Sequence, residues 1–597
     1  MQLALLLALA LQASPATSPG DTVQVLRKEA RRAEHRYERL SRSLAPEAFG
    51  AGQWGHCDEV VGRFCLRYGD DEKDEEPSDD TVHVEPVQIV EARKAAIDAF
   101  RRLFSCTPGD LNVAGPLVRY LVEDDRGPEA VSAARSFDWA THDSIWGPLL
   151  LGFALHNNGQ EGAAERQFAL ALTRMPPDQR REFDDLHVLL SGAEWHRVEA
   201  MSPVGRARYE HMFWRLADPL YVTPGNERWN EHMARHVWAR LLSHVPRVAG
   251  MTSWGKDLEE LTLRYGVPTR RERVESPDPF RDPFNFSMLE YYSSRAQAFT
   301  TSDLRTEGYA EASVPGAPDP LDSVRVRSEF APYNLSKLLP FPHQVARFPT
   351  AGDSVTVLME AELPLDSLGT SARDLRTGIF MLDSAANLLA KQEDRQRTYG
   401  RMVRVAGQFT LPPGRIIYSV EALDTVTRRG ARARYALPLH AYPAGEPALS
   451  DIVLTHPFRN QLLPRSRADL RGAPLPGATV AAGQNVGIYA EVHRLAGDSD
   501  GHTRYSVEVA VEPAHGPSIA TRVVRWFGRS LGLSHDHPPP SVSWTAEGTP
   551  GQPAIVALDL QIENVHPGLY SVELAVRDRV LGVRMATHRL IRIQDGT

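Results

Sequence analysis

The chain has 597 residues, 42% of them hydrophobic and 24% charged, with a formal net charge of -9. That is the balance of an ordinary globular protein, and the length predicts about four domains. The mild acidity speaks against a nucleic-acid binder, which needs a basic face.

Leu3 to Leu11 form a short apolar run, followed by Ala13-Ser14-Pro15-Ala16 and a polar stretch. This reads as the apolar region of a signal peptide over residues 1–16, too short to span a bilayer. Export to the periplasm or the outside is expected. No Cys follows the run, which argues against a lipoprotein anchor, and no later stretch is long enough for a transmembrane helix. Residues 22–48 read as one amphipathic, charge-rich helix opening a segment that runs to residue 90. Within it, Cys57 and Cys65 are close enough in sequence for a local disulfide in an oxidising compartment, with Cys106 left as a buried thiol. A Cys57–Cys106 bridge is the alternative pairing. The acidic run from Asp70 reads as a solvated loop; EF-hand spacing is absent.

A 34-residue period marks residues 91–200. Ala96, Ala130 and Ala164 keep it, as do Phe100, Ala134 and Phe168, and Leu117 with Leu151. Leu151-Gly152, Leu155, Ala164, Phe168, Ala171 and Pro176 follow the tetratricopeptide pattern position by position. Small Ala lets the helices of a unit approach, and Phe fills the gap to the next unit. Such repeats usually present a curved face to peptides or proteins.

Residues 201–330 read as an α+β module. Thr223-Pro224 predicts a helix start, and Trp229, Met233, Val237 and Leu241 recur on one helical face that ends near Val245-Pro246. Leu261, Leu263 and Tyr265 alternate with polar residues and predict a half-buried strand broken at Gly266. Arg270–Val274 and Met288–Tyr292 predict further strands, and Gly316 to Pro320 a linker.

The sequence Asp218-Pro219-Leu220-Tyr221, Thr223-Pro224, Asn226-Glu227-Arg228, followed by Trp254, Asp257, Arg264-Tyr265-Gly266 and Pro268, resembles the GWxTD-domain family of secreted bacterial proteins. Of the name-giving pentapeptide, Ser253-Trp254-Gly255-Lys256-Asp257 keeps the Trp and the Asp. The resemblance implies an exported envelope protein with helices before this region and β-domains after it. It brings no activity with it.

The C-terminal part contains a duplication. Ala351-Gly352-x-x-Val355-x-Val357-x-x-Glu360 corresponds to Ala482-Gly483-x-x-Val486-x-Ile488-x-x-Glu491. Pro413-Gly414 leading to Glu421 corresponds to Pro567-Gly568 leading to Glu573, and Asp424 and Asp578 close the copies. Two related immunoglobulin-like β-sandwiches are expected, over 331–447 and 448–597, each with a Pro-Gly turn entering an alternating strand. The second copy carries an insertion at about 522–543.

Reactive constellations are sparse. Gly497-Asp498-Ser499-Asp500-Gly501 fits the expression for a hydrolase nucleophile, but strands on both sides predict a hairpin loop. His232 and His236, four apart, could share a metal, yet no third ligand is evident and packing is the plainer role. Glu227, Asp257 and Arg264 are expected to form a salt-bridged core. His535-Asp536-His537 reads as a loop, and Arg522–Arg529 as a short basic-aromatic segment with a possible membrane or partner contact. No catalytic set, metal or cofactor is expected. The sequence thus predicts a multidomain α+β scaffold: tetratricopeptide-like α-helical repeats, a GWxTD-like module and two β-sandwiches that bind protein partners. An envelope metal-dependent hydrolase with its site in 201–330 and a glycan-binding protein are the alternatives.

Overall fold

The computed structural model describes residues 19–44, 59–62, 64–66, 85–243 apart from 142 and 191, 254–267, four short strands between 270 and 330, and 338–594. From that last range 351, 370–373, 397–400, 459–462, 471, 515–540 and 562–565 are excepted. The signal-peptide region, Cys57, Pro268, the 316–320 linker and most of the 522–543 insertion lie outside the described residues, as does the side chain of Cys65. The architecture is a helical N-terminal region followed by a β-rich region of several sheets. No helix among the described residues is long and apolar enough to cross a membrane.

The helices are α1 (Pro19–Ser43), α2 (Val87–Cys106), α3 (Leu111–Glu123), α4 (Gly127–Thr141), α5 (Trp146–Asn157), α6 (Glu161–Arg174), α7 (Pro177–Asp184), α8 (Gly192–Glu199), α9 (Pro203–Ala217), α10 (Glu227–Ser243) and α11 (Lys256–Tyr265). Short strands β1 (Glu59–Val61) and β2 (Phe64–Leu66) form a hairpin after α1, and β3 (Arg270–Val274) pairs with β4 (Ser287–Tyr291) much as the sequence predicts. β5 (Gln297–Ala298) pairs with β6 (Glu329–Phe330).

The chain forms two compact units: Met1–Arg197 with Thr223–Phe299 and Val326–Phe330, and Val198–Val222 with Thr300–Arg325 and Ala331–Thr597. The residues expected to form one module, 201–330, are therefore shared between the two.

In the helical unit the 34-residue period marks packing positions. Ala96, Ala130, Ala134, Ala164 and Phe168 are fully buried, and a Cβ at Gly152 would stand 2.8 Å from the Phe168 ring. Helix α10 joins this packing from further along the chain. It runs across α6, α5 and α3, with Trp229 edge-on to Phe168, Trp238 edge-on to Phe153, and Leu241 filling the space above Gly115.

Three expectations are corrected. The Leu261–Tyr265 stretch is helix α11: its buried residues Leu258, Leu261, Thr262 and Tyr265 recur at i, i+3, i+4 and i+7, and the alternation of Leu261, Leu263 and Tyr265 is too short to outweigh that spacing. Helix α10 begins at Glu227 instead of Thr223, since the Asn226 side chain accepts the Trp229 N–H at 2.9 Å and caps it. Cys106 is exposed, because it ends α2 on the outer side of the helix.

In the β-rich unit the strands are β7 (Leu339–Pro340), β8 (His343–Pro349), β9 (Val355–Pro364), β10 (Leu375–Leu382), β11 (Leu388–Gln396), β12 (Met402–Leu411), β13 (Gly414–Asp424) and β14 (Gly430–Leu439). They are followed by β15 (Ala448–Leu449), β16 (Val453–Thr455), β17 (Thr479–Ala481), β18 (Asn485–His493), β19 (Thr503–Pro513), β20 (Ser541–Gly548), β21 (Ala554–Gln561), β22 (Gly568–Asp578) and β23 (Arg584–Gln594). A five-stranded sheet, β11-β10-β13-β14-β7, faces β12-β9-β8 over one apolar core. A second, β20-β19-β22-β23-β17, faces β21-β18 with β15 and β16 over another. The two orders correspond strand for strand, down to the parallel edge strands β7 and β17.

The duplicated Gly and Asp landmarks hold matching positions, but Glu421 and Glu573 do not: with Asp424 and Asp578 aligned, Glu573 stands at the place of Ser419 and Ala575 at that of Glu421, because matching the Tyr-Ser-Val-Glu runs slips the register by two residues. Gly352 and Gly483 share φ of +81° at the turns into β9 and β18. Asp424 and Asp578, both fully buried, each lock the hairpin that follows by accepting backbone N–H groups two residues on, Val426 at 3.0 Å and Val580 at 2.8 Å. The sheet pairs meet through a small apolar cluster of Ala346, Phe348, Val453 and Tyr489, beside the Arg347–Asp451 ion pair at 2.8 Å.

Candidate functional site

The family-like stretch from Asp218 to Arg235 is the richest concentration of buried polar side chains, and the two units divide it. In the β-rich unit, α9 and residues 218–222 lie over the outer face of the first five-stranded sheet. Leu216, Leu220, Tyr221 and Val222 pack there on Phe380, Leu382, Ile417 and Leu423. Alternation along β13 and β14 aims Ser419, Glu421, Arg432 and Arg434 at the same face. Arg434 donates to the carbonyls of Leu216 at 3.0 Å and Asp218 at 2.8 Å and to Glu421 at 3.0 Å. Glu421 also accepts the Val222 N–H at 3.0 Å and the Ser419 hydroxyl at 2.6 Å. Arg432 donates to the Pro219 carbonyl at 2.9 Å; burial pushes its guanidinium down to about 9, and nearby Arg434 adds to that.

Tyr221 lies between two guanidiniums, Arg434 at 3.9 Å and Arg215 at 4.4 Å from its ring centre, and donates its hydroxyl to the Arg215 carbonyl at 2.7 Å. Burial pushes its phenol up to about 12, so the hydroxyl stays protonated at neutral pH. Gly378 makes room for the segment: a Cβ there would stand 2.8 Å from Val222 and 2.6 Å from the Phe380 ring.

In the helical unit, the Thr223–Arg228 part of the motif docks on α6. Gly225 has φ of +89° and lies so close to the Glu161 backbone, 2.9 Å from where a Cβ would be, that only glycine fits both the angle and the space. Asn226 donates its N–H to Glu165 at 3.1 Å, and Asn230 donates to the Glu161 carbonyl at 3.0 Å and carboxylate at 2.9 Å. His156 of α5 bridges Glu161 at 2.9 Å and Glu231 at 2.7 Å. Burial opposes its charge, but the two carboxylates outweigh burial and hold the imidazole up to about 10. Glu231 is half-buried, which opposes its charge, yet Arg235 and His156 hold its carboxyl well below the usual range. Arg235 continues the chain of contacts, donating to Glu231 at 2.5 Å and to the carbonyls of Leu263 and Arg264 at 3.2 and 2.6 Å, which closes the end of α11 under Gly266.

The remaining predicted residues fall as follows. His232 and His236 do converge, Nε2 to Nε2 at 3.1 Å, with the Phe183 carbonyl 3.1 Å from His232 Nε2. A carbonyl only accepts, so His232 carries its proton on Nε2 and His236 presents a bare nitrogen to it. Burial pushes both imidazoles down, His232 to about 3. Among the described residues no three His, Cys, Asp or Glu side chains gather as metal ligands.

Glu227 is fully buried at the start of α10, Asp257 stands in the first turn of α11 against Gly62, and Arg264 in its last turn bonds Glu260 at 3.2 Å. Trp254 is half-buried just before α11, and Pro176 leads into α7. Gly497–Gly501 is a turn, as expected, although it links β18 to β19 of the facing sheet instead of joining paired strands; Asp498 there accepts the N–H groups of Asp500 and His502. His535–His537 and Arg522–Arg529 lie outside the described residues, while residues 541–543 of the expected insertion belong to β20.

Sequence reasoning missed Arg434 and His156. The available signal for the first was the β13–β14 alternation itself, which sets Glu421, Arg432 and Arg434 together on the outward face. For His156 no local signal existed.

No family model matches the chain, and no curated protein is detectably similar to it. Solved structures match it in part. A β-glucuronidase from Bacteroides uniformis is 8% identical, over 39% of this chain and 26% of that one, at a TM-score of 0.17. Red sea bream transglutaminase is 9% identical over 43% and 32%, at 0.14. The Escherichia coli alpha-2-macroglobulin activated by porcine elastase is 11% identical over 47% and 24%, at 0.14. The chain spans at most about a third of these proteins, and scores this low carry no functional argument.

Proposed function

We propose that this protein is an exported, non-enzymatic scaffold of the bacterial cell envelope that binds protein partners, of the GWxTD-domain kind. In this reading α2 to α6 are tetratricopeptide-like pairs and the two sheet pairs are immunoglobulin-like sandwiches. One observation carries the reading. Polar side chains packed around the motif, which a reactive site would hold ready for a substrate, are engaged in docking the chain on itself: Arg434 on the Leu216 and Asp218 carbonyls, Asn230 on Glu161, His156 on Glu161 and Glu231, Arg235 on the end of α11. With α10 laid across α6, α5 and α3, the outer strands of the β-rich unit become the partner surfaces of choice. Their sheet faces fit proteins better than glycans, because the outer face of the second five-stranded sheet presents Ser543, Thr545, Glu573 and Arg577 where a glycan binder would present rings.

Cross-linking of the full chain in envelope extracts tests this. A reproducible partner attached at the β-rich unit is expected. Turnover of an ester, peptide or glycoside, together with a stoichiometric transition metal lost in the double variant His232→Gln and His236→Gln, would overturn it in favour of the hydrolase.

A further inference from the structure

The two five-stranded sheets allow a residue-by-residue comparison of their outermost long strands, β11 and β20. Leu375 pairs with Asp424 and Tyr505 with Asp578, which fixes the correspondence of β10 with β19. One strand further out, Lys391, Gln392, Glu393, Asp394 and Arg395 of β11 then correspond to Ser541, Val542, Ser543, Trp544 and Thr545 of β20. β11 has the protections of a solvent-facing edge: four charges, a register break beside Met381, and Gln392, which donates to the Ala406 carbonyl of β12 at 2.9 Å and ties the edge to the facing sheet. In β20 the four charged positions have become Ser, Ser, Trp and Thr. The tying glutamine has become Val542, an apolar side chain 51% exposed. Among the described residues no strand lies beyond β20. Its outward backbone groups are a template for another strand.

We propose that β20 pairs antiparallel with β20 of a second copy of this chain, about a two-fold axis through Trp544. The strand's own sequence selects that occupant. Side chains keep their faces only if even-numbered residues meet even-numbered ones. The register about Trp544 does this: Trp544 meets itself, Val542 meets Ala546, Ser543 meets Thr545, and Ser541 meets Glu547. No like charges oppose each other, because Glu547 is the one charged residue of β20. Val542 and Trp544, on the core side of the sheet, gain apolar neighbours from the second copy, and the two sheets become one. An isologous contact requires such self-complementarity, and aromatic and hydroxyl cross-strand pairs stabilise it. The inference does not depend on the proposed function.

Sedimentation equilibrium of the full chain at micromolar concentration is expected to show a dimer. In the double variant Ser543→Lys and Thr545→Lys, lysines would stand opposite lysines, and the dimer Kd should rise about tenfold or more with the melting temperature unchanged. The register is read by disulfide trapping in a background with Cys57, Cys65 and Cys106 each replaced by Ser, which removes every native thiol, the exposed Cys106 included. Chains with Ser543→Cys mixed with chains with Thr545→Cys should cross-link on oxidation, and neither alone should. A monomeric wild type, a dimer indifferent to the lysines, or equal cross-linking of each variant with itself would overturn the proposal.

Discussion

The two five-stranded sheets share strand order, a parallel edge strand and an Asp-locked hairpin, and they differ on their outer faces. On the first, Glu421, Arg434, Phe380 and Gly378 receive residues 216–222. At the corresponding places the second has Ala575, His588, Ala510 and Glu508, a pattern with neither the ion pair nor the apolar seat. The inner faces, by contrast, keep the same alternation of buried apolar residues in both. Inward residues fix the topology by burial, so they are constrained together. Outward residues are constrained only by what covers them, and a duplicated sheet can therefore keep its shape while its outer face changes purpose.

The largest test of that difference is Arg434→Met. It leaves the fully buried Glu421 without its cation, and denaturant unfolding should show a loss of about 3–5 kcal/mol. The corresponding change on the second sheet, His588→Met, should stay within about 0.5 kcal/mol. Similar losses at both positions would mean that the first face is no special seat. Next comes Gly378→Ala, whose methyl meets both Val222 and Phe380 and should cost about 1–3 kcal/mol. Glu508→Ala, its counterpart, should again be near neutral. What the copies share should respond equally: Asp424→Ala and Asp578→Ala each strip a buried turn of its acceptor, and each should cost about 1–2 kcal/mol in thermal unfolding.

Much of this fold is legible in local sequence patterns. The 34-residue spacing marks the buried Ala and Phe positions, and the paired motifs mark the two hairpins, because burial and turn geometry act within a few residues. The Leu261–Tyr265 stretch is ambiguous for the same reason. A short run can satisfy periods of 2 and 3.6 together, and what closes the end of α11 is Arg235, 28 and 29 residues away along the chain. The site is less legible still. Its motif residues stand out in the sequence, but their partners do not: Arg434 reaches a carbonyl 216 residues away, and His156 a carboxylate 75 residues away. Nothing local marks such pairs.

The smallest expected effect separates the copies most sharply, through Glu360 and Glu491, which occupy one duplicated position. Burial pushes Glu360 up to about 7, with Glu362 adding to it and Arg404 opposing. Glu491 is buried as well, but His493, Arg467 and Tyr489 donate to it at 2.8 Å and hold its carboxyl below the usual range. The signs are opposite. A raised acid contributes stability below its unfolded pKa and loses it as pH rises through the folded value, so the Glu360 contribution should fade between about pH 4.5 and 7. A depressed acid contributes above its unfolded pKa and loses it only as pH falls below the ordinary carboxylate range. Denaturant midpoints at pH 5 and pH 8 should therefore show Glu360→Gln gaining on wild type by about 1 kcal/mol at the higher pH. Glu491→Gln should fall behind at both, since its three donors lose their charged acceptor. If Glu360→Gln instead tracks wild type across the range, then Arg404 already compensates that carboxylate, and the two copies differ in their outer faces but not in this buried acid.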